Sequence, residues 1–507
     1  MRLNLGRLCD GVRMKLSEII KDVQDCTVYG SADADVRDLS YNTSSVVQGS
    51  CFVAIKGAKA DGHEFIAEAL KRGASVVVSE KKVEVCGGTN VVVANTRSAL
   101  AAMSASYFGN PSKAFTLVGV TGTNGKTSIT YLLEAIFKEA GQRPGVIGTV
   151  SYRFGDVTEP APHTTPESYD LQKLFMKMKE SQTDFCAMEV SSHALSQGRV
   201  DGCHFDAAVF TNLTPEHLDY HGDMETYFTA KTVLFESLLA KSSKSNTFAV
   251  INADDSYGPG LAEKCPRPVV FYGFGEKASV RCEKLSFDAN GLKMSVKSEF
   301  GSFECSTRLC GRFNAYNILA ASAVALKMGV NTEAIRMAVV KMPVVPGRFE
   351  IVENERGIIA LVDYAHTPDA IENVLTNARE LLNGSGKLIS VFGCGGDRDR
   401  QKRPLMGSYA AKLADVVIVT SDNPRTEDPL AIIDEIMPGV FKNLGPLKDK
   451  RGYEIIPDRR EAIARAVAIA KKGDVVVVAG KGHEDYQIVG TKKHHFDDRE
   501  VLREMLI

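Results

Sequence analysis

The chain of 507 residues contains no tryptophan and, despite eleven cysteines, no two of them at CxxC spacing. An odd, unpatterned cysteine set excludes a disulfide framework and suits a reducing cytosol. No apolar run approaches the roughly 20 residues of a membrane span, so no membrane insertion is expected. A formal net charge of -2 supplies no global attraction to nucleic acid or anionic lipid, and no nucleic-acid partner is expected. Internal repeats and low-complexity tracts are also missing, which excludes solenoids and disordered tails. The N-terminus carries Arg2, Arg7 and Arg13 but lacks the apolar core of a secretory signal, so the chain reads as cytoplasmic. Met14, ahead of the helix-like run 15–23, offers a second start.

What is present is an ordinary globular composition, 44% hydrophobic and 24% charged. The length exceeds one ordinary core and predicts two or three domains. Two seams stand out: Gly109-Asn110-Pro111-Ser112, and Met342-Pro343-Val344-Val345-Pro346-Gly347, whose prolines interrupt an otherwise helical region. Between and after them the grammar is α/β. Apolar strands at 115–120, 186–190 and 207–213, then at 358–362, 388–392, 416–420 and 475–479, are followed by polar, chemistry-bearing residues or by helical periodicity. Ile129, Leu132, Leu133, Ile136 and Phe137 mark one such helix. Open parallel sheets hold ligands at the carboxyl ends of their strands, where these polar residues fall.

Thr121-Gly122-Thr123-Asn124-Gly125-Lys126-Thr127 lies between a strand and a helix. Glycines let backbone N–H groups turn toward a phosphate, and the helix N-terminus adds a favourable dipole. Lys126 would reach the β- and γ-phosphates, and the Thr127 hydroxyl would hold Mg²⁺. The bland alternative is a glycine-rich turn with a surface lysine; the strand–helix context favours nucleotide binding. Val120 stands where a standard P-loop has its first glycine, which argues against common GTPases and kinases.

The motifs together resemble the Mur ligase family of peptidoglycan synthesis. Besides 122–127 they comprise Glu189-Val190-Ser191-Ser192-His193, Asn212-Leu213-Thr214-Pro215-Glu216-His217-Leu218-Asp219-Tyr220-His221-Gly222 and Ala230-Lys231. They continue with Arg312-Phe313-Asn314-Ala315-Tyr316-Asn317, Pro346-Gly347-Arg348-Phe349-Glu350 and Asp363-Tyr364-Ala365-His366-Thr367-Pro368. The resemblance implies an α/β fold of three domains: 1–110 for a uridine-nucleotide substrate, a central P-loop parallel-sheet ATPase domain at 111–343, and a Rossmann-like amino-acid-binding domain at 344–507. It implies an ADP-forming amide ligase using ATP and Mg²⁺ through an acyl phosphate, and a monomer is expected. Asp422-Asn423-Pro424-Arg425 is similar to the signature of the branch that adds meso-diaminopimelate to a UDP-muramoyl dipeptide.

Residue by residue, the resemblance gives Lys126, Lys231 and His217 the catalytic role and Gly122, Thr123, Asn124, Gly125, Lys126, Thr127 and Ser128 the ATP phosphates. It gives Asn314 the base, Arg348 the phosphates and Asp363 the ribose, with His366 helping to clamp ATP. Thr127 and Glu189 would be ligands of the Mg²⁺ on the nucleotide, His217 of a second Mg²⁺ between γ-phosphate and substrate carboxylate, and a Lys231 carbamylated by CO₂ would support that second metal. By themselves His217 reads as a cap or core histidine and Lys231 as a solvated helix lysine; Asn212 and Asp219 beside His217 tip the first toward a metal. Thr43, Thr164, Thr165, Ser191, Gln197 and Arg199 would hold the muramoyl dipeptide, although Tyr41-Asn42-Thr43-Ser44 departs from the family's usual Ser-Arg pair and His163 stands where a close relative has asparagine. Arg398, Asp422, Asn423, Pro424, Arg425, Gly480 and Glu484 would read the incoming amino acid. A guanidinium at Arg425 suits its distal carboxylate and Glu484 its distal ammonium. Rival readings are a sister ligase such as a folylpolyglutamate synthase or the ligase adding D-Ala-D-Ala, a P-loop kinase, and a catalytically dead nucleotide-binding regulator. His494-His495 reads as exposed polar surface.

Overall fold

The structure, a computed structural model, describes residues 13–57, 60–382, 384, 386–447 and 451–507. Arg2 and Arg7 lie outside them. Three large sheets follow one another along the described residues, beside two two-stranded ones. The first orders strands Thr27–Tyr29, Thr89–Val92, Val76–Ser79, Cys51–Val53 and Leu39–Ser40, parallel except for the first pair. Helix Thr96–Tyr107 packs on it, with the Asn95 side chain accepting from the N–H groups of Arg97 and Ser98 at its start. The helix-like run 15–23 contracts to Leu16–Ile19: Ile20 leaves the helical conformation at φ -90° and ψ 1°, and the Val23 N–H turns back to the Ile20 carbonyl.

The central sheet has eleven strands. Its parallel heart runs Pro144–Ile147, Phe185–Glu189, Thr116–Thr121, Ala207–Phe210, Phe248–Asn252 and Val269–Gly273. These strands are apolar almost throughout because both faces are covered. Val118 and Val120 pack under helices Lys126–Glu139, Arg312–Lys327 and Thr332–Lys341, while Leu117 packs toward Ser168–Glu180 and Met224–Val233 on the other face. An antiparallel meander, Val280–Asp288, Gly291–Ser298 and Phe303–Thr307, extends one edge.

The third sheet orders Glu350–Val352, Ile359–Asp363, Val475–Ala479, Leu388–Phe392, Val416–Val419 and Gly452–Ile455, parallel but for the first strand. The last long strand in sequence is thus inserted between the first two parallel ones. Helices Pro368–Glu380, Lys402–Leu413 and Pro429–Phe441 cover one face, Arg459–Ile469 and Asp498–Met505 the other. The seam at 342–347 separates helix Thr332–Lys341 from a strand, not from more helix. Gly347 at φ +63° and Phe349 at φ +50° turn the backbone out of any helix there. No described helix is long and apolar enough to cross a membrane.

Candidate active site

The carboxyl ends of the central strands and of Ile359–Asp363 face one another across a cleft of about 660 Å³. Its floor is the loop between strand Thr116–Thr121 and helix Lys126–Glu139. Gly122, at φ +142°, leaves no room for a side chain, since a Cβ would fall 1.8 Å from Thr211 Oγ1. Thr211 Oγ1 donates to the Asn124 carbonyl at 2.6 Å, and Asn212 Oδ1 accepts from the Asn124 N–H at 2.9 Å. Thr123 Oγ1 accepts from the Thr214 N–H at 3.0 Å and lies 3.2 Å from the Tyr227 hydroxyl. The loop is therefore held from its flank, with Lys126 and Thr127 beginning the helix.

Two lysines converge on this loop. Lys126 Nζ donates to the carbonyls of Gly122 and Thr123 at 2.9 and 2.7 Å. Lys231, almost fully buried, donates from the opposite side to the same Gly122 carbonyl at 2.9 Å, with its ammonium 4.5 Å from the Tyr227 ring centroid. Burial lowers the pKa of each lysine, and for Lys231 the nearby Lys126 charge lowers it further, well below the ordinary value. Glu216 opposes both shifts. Its own carboxyl is pushed up by burial but pulled further down by His217, Lys126, His366 and Lys231, so the net shift is below the ordinary value. His217 takes a left-handed backbone at φ +58° and stacks edge-on to His193, and burial lowers its pKa. Glu189 ends its strand buried, receiving the Thr149 N–H on Oε1 at 2.9 Å and the Thr149 hydroxyl on Oε2 at 3.1 Å.

The far wall comes from the third unit. Arg348 reaches Thr127 Oγ1 at 3.3 Å and lies over the Tyr364 ring. Asp363 accepts the N–H groups of Phe349 and Ala365 at 2.7 and 2.8 Å, so it also shapes the connecting segment. Burial raises its pKa. Asp369 Oδ2 accepts from Asn124 Nδ2 and Thr214 Oγ1, each at 2.8 Å, tying the two units together at the phosphate loop. His366 lies in the same cleft, its Nδ1 2.8 Å from the Tyr364 carbonyl.

On the other side of Glu189, Thr164 Oγ1 is 3.0 Å from Thr149 Oγ1, and Thr165 Oγ1 donates to the Glu189 carbonyl at 2.8 Å while accepting the Ser191 N–H. Arg199 donates to Gln197 Oε1 and to the Thr165 carbonyl, and Gln197 Nε2 reaches the Tyr220 hydroxyl at 3.2 Å. Glu167 joins Arg199 at 3.7 Å to Arg97 of the first unit at 2.9 Å. Thr43 opens the short turn Thr43–Ser45, capped by Asn42, and Tyr41 beside it donates to Asp170 of the central unit. Tyr41, within the stretch that departs from the Ser-Arg pattern, thus fastens two units together. His163 is exposed.

A third group gathers at the carboxyl ends of the last sheet. Arg425, at φ +52°, donates from Nη1 to the Gly396 carbonyl at 2.7 Å, close to the exposed Arg398. Asp422 is buried; its Oδ1 takes the Asn423 N–H at 2.7 Å, while Oδ2 has no partner and lies 2.6 Å from where a Cβ at Gly480 would sit. A buried carboxylate oxygen with no protein donor takes its hydrogen bond from water or a ligand. Asn423 Nδ2 donates to Glu484 Oε2 at 2.9 Å. The hairpin Tyr486–Val489/Lys492–His495 closes over this loop, with Ile488 N–H on Asn423 Oδ1 and Gln487 on the Asp422 carbonyl. His494 and His495 are exposed on it.

Three family models match in chain order: "Mur ligase family, catalytic domain" over residues 35–107, "Mur ligase middle domain" over 120–325, and "Mur ligase, glutamate ligase domain" over 347–482. A UDP-N-acetylmuramoyl-L-alanyl-D-glutamate--2,6-diaminopimelate ligase from Geobacter metallireducens is 48% identical over 501 residues, covering 96% of this chain and 98% of that protein. The chain belongs to the Mur ligase family. A ligase of the same name from Geobacillus kaustophilus is 44% identical over 97% of this chain and 99% of its own. The solved structure of a ligase so named aligns with TM-score 0.68 at 33% identity, covering 98% of this chain and 99% of that one. A MurF ligase from Thermotoga maritima, solved with ADP, shares the fold at TM-score 0.61 and 21% identity, covering 93% of this chain and 97% of its own.

Within this Mur ligase most of the residues singled out from the sequence fall into the three clusters described. Asn314 does not. It is buried in the first turn of its helix, donating to the Cys310 carbonyl and accepting from Asn317, and it is Asn317, one turn on, that lines the cleft. Helical spacing explains the difference: residues three apart share a face, but Asn314 spends its amide on the helix end. Glu216, Asp369 and Tyr227 went unassigned in the sequence reading. Glu216 lies inside the motif that contains His217, and Asp369 directly follows Thr367-Pro368, so their neighbours were the available signal. No three of His, Cys, Asp and Glu converge as a metal-gripping group among the described residues.

Proposed function

We propose that this Mur ligase joins meso-diaminopimelate to the D-glutamate carboxylate of UDP-N-acetylmuramoyl-L-alanyl-D-glutamate at the expense of ATP, forming ADP, in peptidoglycan synthesis. The observation that carries the reading is the gathering of Asp422, Asn423, Arg425 and Glu484 at the carboxyl ends of the last sheet, in a chain 48% identical to a ligase of that name. Residues 1–110 would take the uridine nucleotide, 111–343 ATP and 344–507 the amino acid.

Phosphoryl transfer brings two anions together: a carboxylate oxygen attacks the γ-phosphorus, ADP leaves, and an acyl phosphate forms. Lys126 and Arg348 offer the cations to offset that charge. The amine then attacks the acyl carbon, and phosphate leaves carrying the proton lost from nitrogen. Magnesium fits a site of this kind, since it keeps waters and substrate oxygens in its shell and needs few protein ligands. Thr127, Glu189, His217 and a carbamate on Lys231 would hold it, and when bound it supplies further charge neutralisation between phosphate and carboxylate. The carbamate is consistent with the lowered pKa of Lys231, because a free amine is the form that adds to CO₂, losing one proton to water. In the dipeptide region Thr164, Thr165, Ser191, Gln197 and Arg199 would orient the acceptor, with Thr43 near its nucleotide end.

The test is phosphate release by purified protein given ATP, Mg²⁺ and the nucleotide dipeptide, with meso-diaminopimelate or L-lysine as the amine. Diaminopimelate-dependent release is expected. Equal use of both amines sinks the substrate reading, and phosphate retained on an acceptor in place of release sinks the ligase chemistry.

A further inference from the structure

Lys481 follows strand Val475–Ala479 by two residues, and its side chain is fully buried. Its ammonium donates to Glu484 Oε2 at 3.1 Å and to Asn423 Oδ1 at 3.3 Å, and lies 5.4 Å from the Tyr486 ring centroid. Asn423 closes the triangle by donating to the same Glu484 oxygen at 2.9 Å. A buried ammonium is stable only when paired, and Glu484 is the carboxylate it pairs with. Both bonds land on Oε2, so neither occupies Oε1.

We propose that Lys481 is a positioning residue for amino-acid selection: it pins Glu484 through Oε2 so that Oε1 is presented to the distal ammonium of the incoming amino acid. The inference rests on the diaminopimelate reading and deepens it. Glu484 then serves two cations, one resident and one delivered by the substrate. The resident one keeps the carboxylate from becoming a buried unpaired anion and fixes its rotamer through Asn423, which is itself held by the Ile488 N–H.

The experiment is steady-state kinetics on the full-length enzyme with ATP, nucleotide dipeptide and meso-diaminopimelate. Lys481→Met should raise KM for diaminopimelate about tenfold or more while kcat and KM for ATP stay within about twofold. Lys481→Arg should recover part of the loss. Because Lys481 acts through Glu484, Lys481→Met combined with Glu484→Gln should cost no more than Glu484→Gln alone. That double variant removes both charges of the buried pair, and it keeps the test open if Lys481→Met alone does not fold. An unchanged KM for diaminopimelate, a parallel rise in KM for ATP, or additive costs in the double variant would each overturn the role of Lys481 while the substrate reading stands. A wild-type enzyme indifferent to diaminopimelate would overturn the substrate reading and this inference with it.

Discussion

Lys126 and Lys231 meet at one carbonyl oxygen, that of Gly122, and the proposed function gives them different work. Lys126→Ala removes a cation aimed at the phosphate loop and should lower turnover by roughly 10²-fold or more, with an unaltered circular dichroism spectrum. Near-normal turnover would remove Lys126 from the chemistry. Lys231→Ala should be nearly inactive and regain activity with added acetate, which can enter the vacated volume as a carboxylate; full activity without additive would refute the carbamate. Arg425→Ala should cost on the order of 2–5 kcal/mol in diaminopimelate use and narrow the gap to L-lysine, with KM for ATP little changed. At this scale the placement of residues was most legible where a motif pairs residue type with spacing, as at Lys126, which opens its helix on the loop the motif predicts. It was least legible where a side chain spends its bonds locally, as Asn314 does, or acts from another unit, as Asp369 does.

The parallel strands could be read because their two covered faces force unbroken apolar runs, and Leu388–Phe392 and Val475–Ala479 stand where those runs place them. The antiparallel meander went unread. Its signal is the alternation of Leu292, Met294 and Val296 with Lys293, Ser295 and Lys297, a two-residue period with one face exposed. Elements of the third unit are also pinned by ion pairs that no local pattern announces. Arg459 and Asp498, both fully buried, pair at 2.7 Å, and Arg459 donates onward to the Ser421 and Ala479 carbonyls beneath Asp422 and Gly480. Asp498→Asn leaves that guanidinium without its counter-charge and should cost about 3–5 kcal/mol of stability in urea unfolding. A loss too small to measure would mean that the backbone carbonyls suffice. Helix Lys402–Leu413 is fastened similarly, by buried Arg403 to Glu427 and Glu435. The Arg403 hydrogen bonds hold the Glu427 carboxyl down to about 2, from an ordinary 4.5. The folded state therefore binds this proton less readily than the unfolded chain does. The stabilisation is whole above about 4.5 and is lost as pH falls toward about 2. The stability difference between wild type and Glu427→Gln should shrink across that interval; a constant difference would contradict the pairing.

Across the whole molecule, the proposed function puts ATP and the amine on different units, so their reacting atoms would meet only when the cleft between them is shut. Asp369 on Asn124 and Arg348 on Thr127 are the contacts such closure would make or break. Small-angle scattering should show a more compact particle with ATP analogue and nucleotide dipeptide together than with neither, and an identical profile would argue against a hinge at 343–347. Strand order in the third sheet carries a further consequence, for biosynthesis. Chains emerge from the ribosome N-terminus first and fold by units as they appear. Val475–Ala479 lies between Ile359–Asp363 and Leu388–Phe392, so those neighbours have no common partner until translation has passed Ala479. Until then two apolar strands present open edges, the kind of surface a nascent chain must keep from pairing with its neighbours. The same late segment delivers Gly480, Lys481 and Glu484. A nascent chain can therefore assemble the phosphate loop before the proposed amino-acid pocket, which is completed only once this late segment has been made.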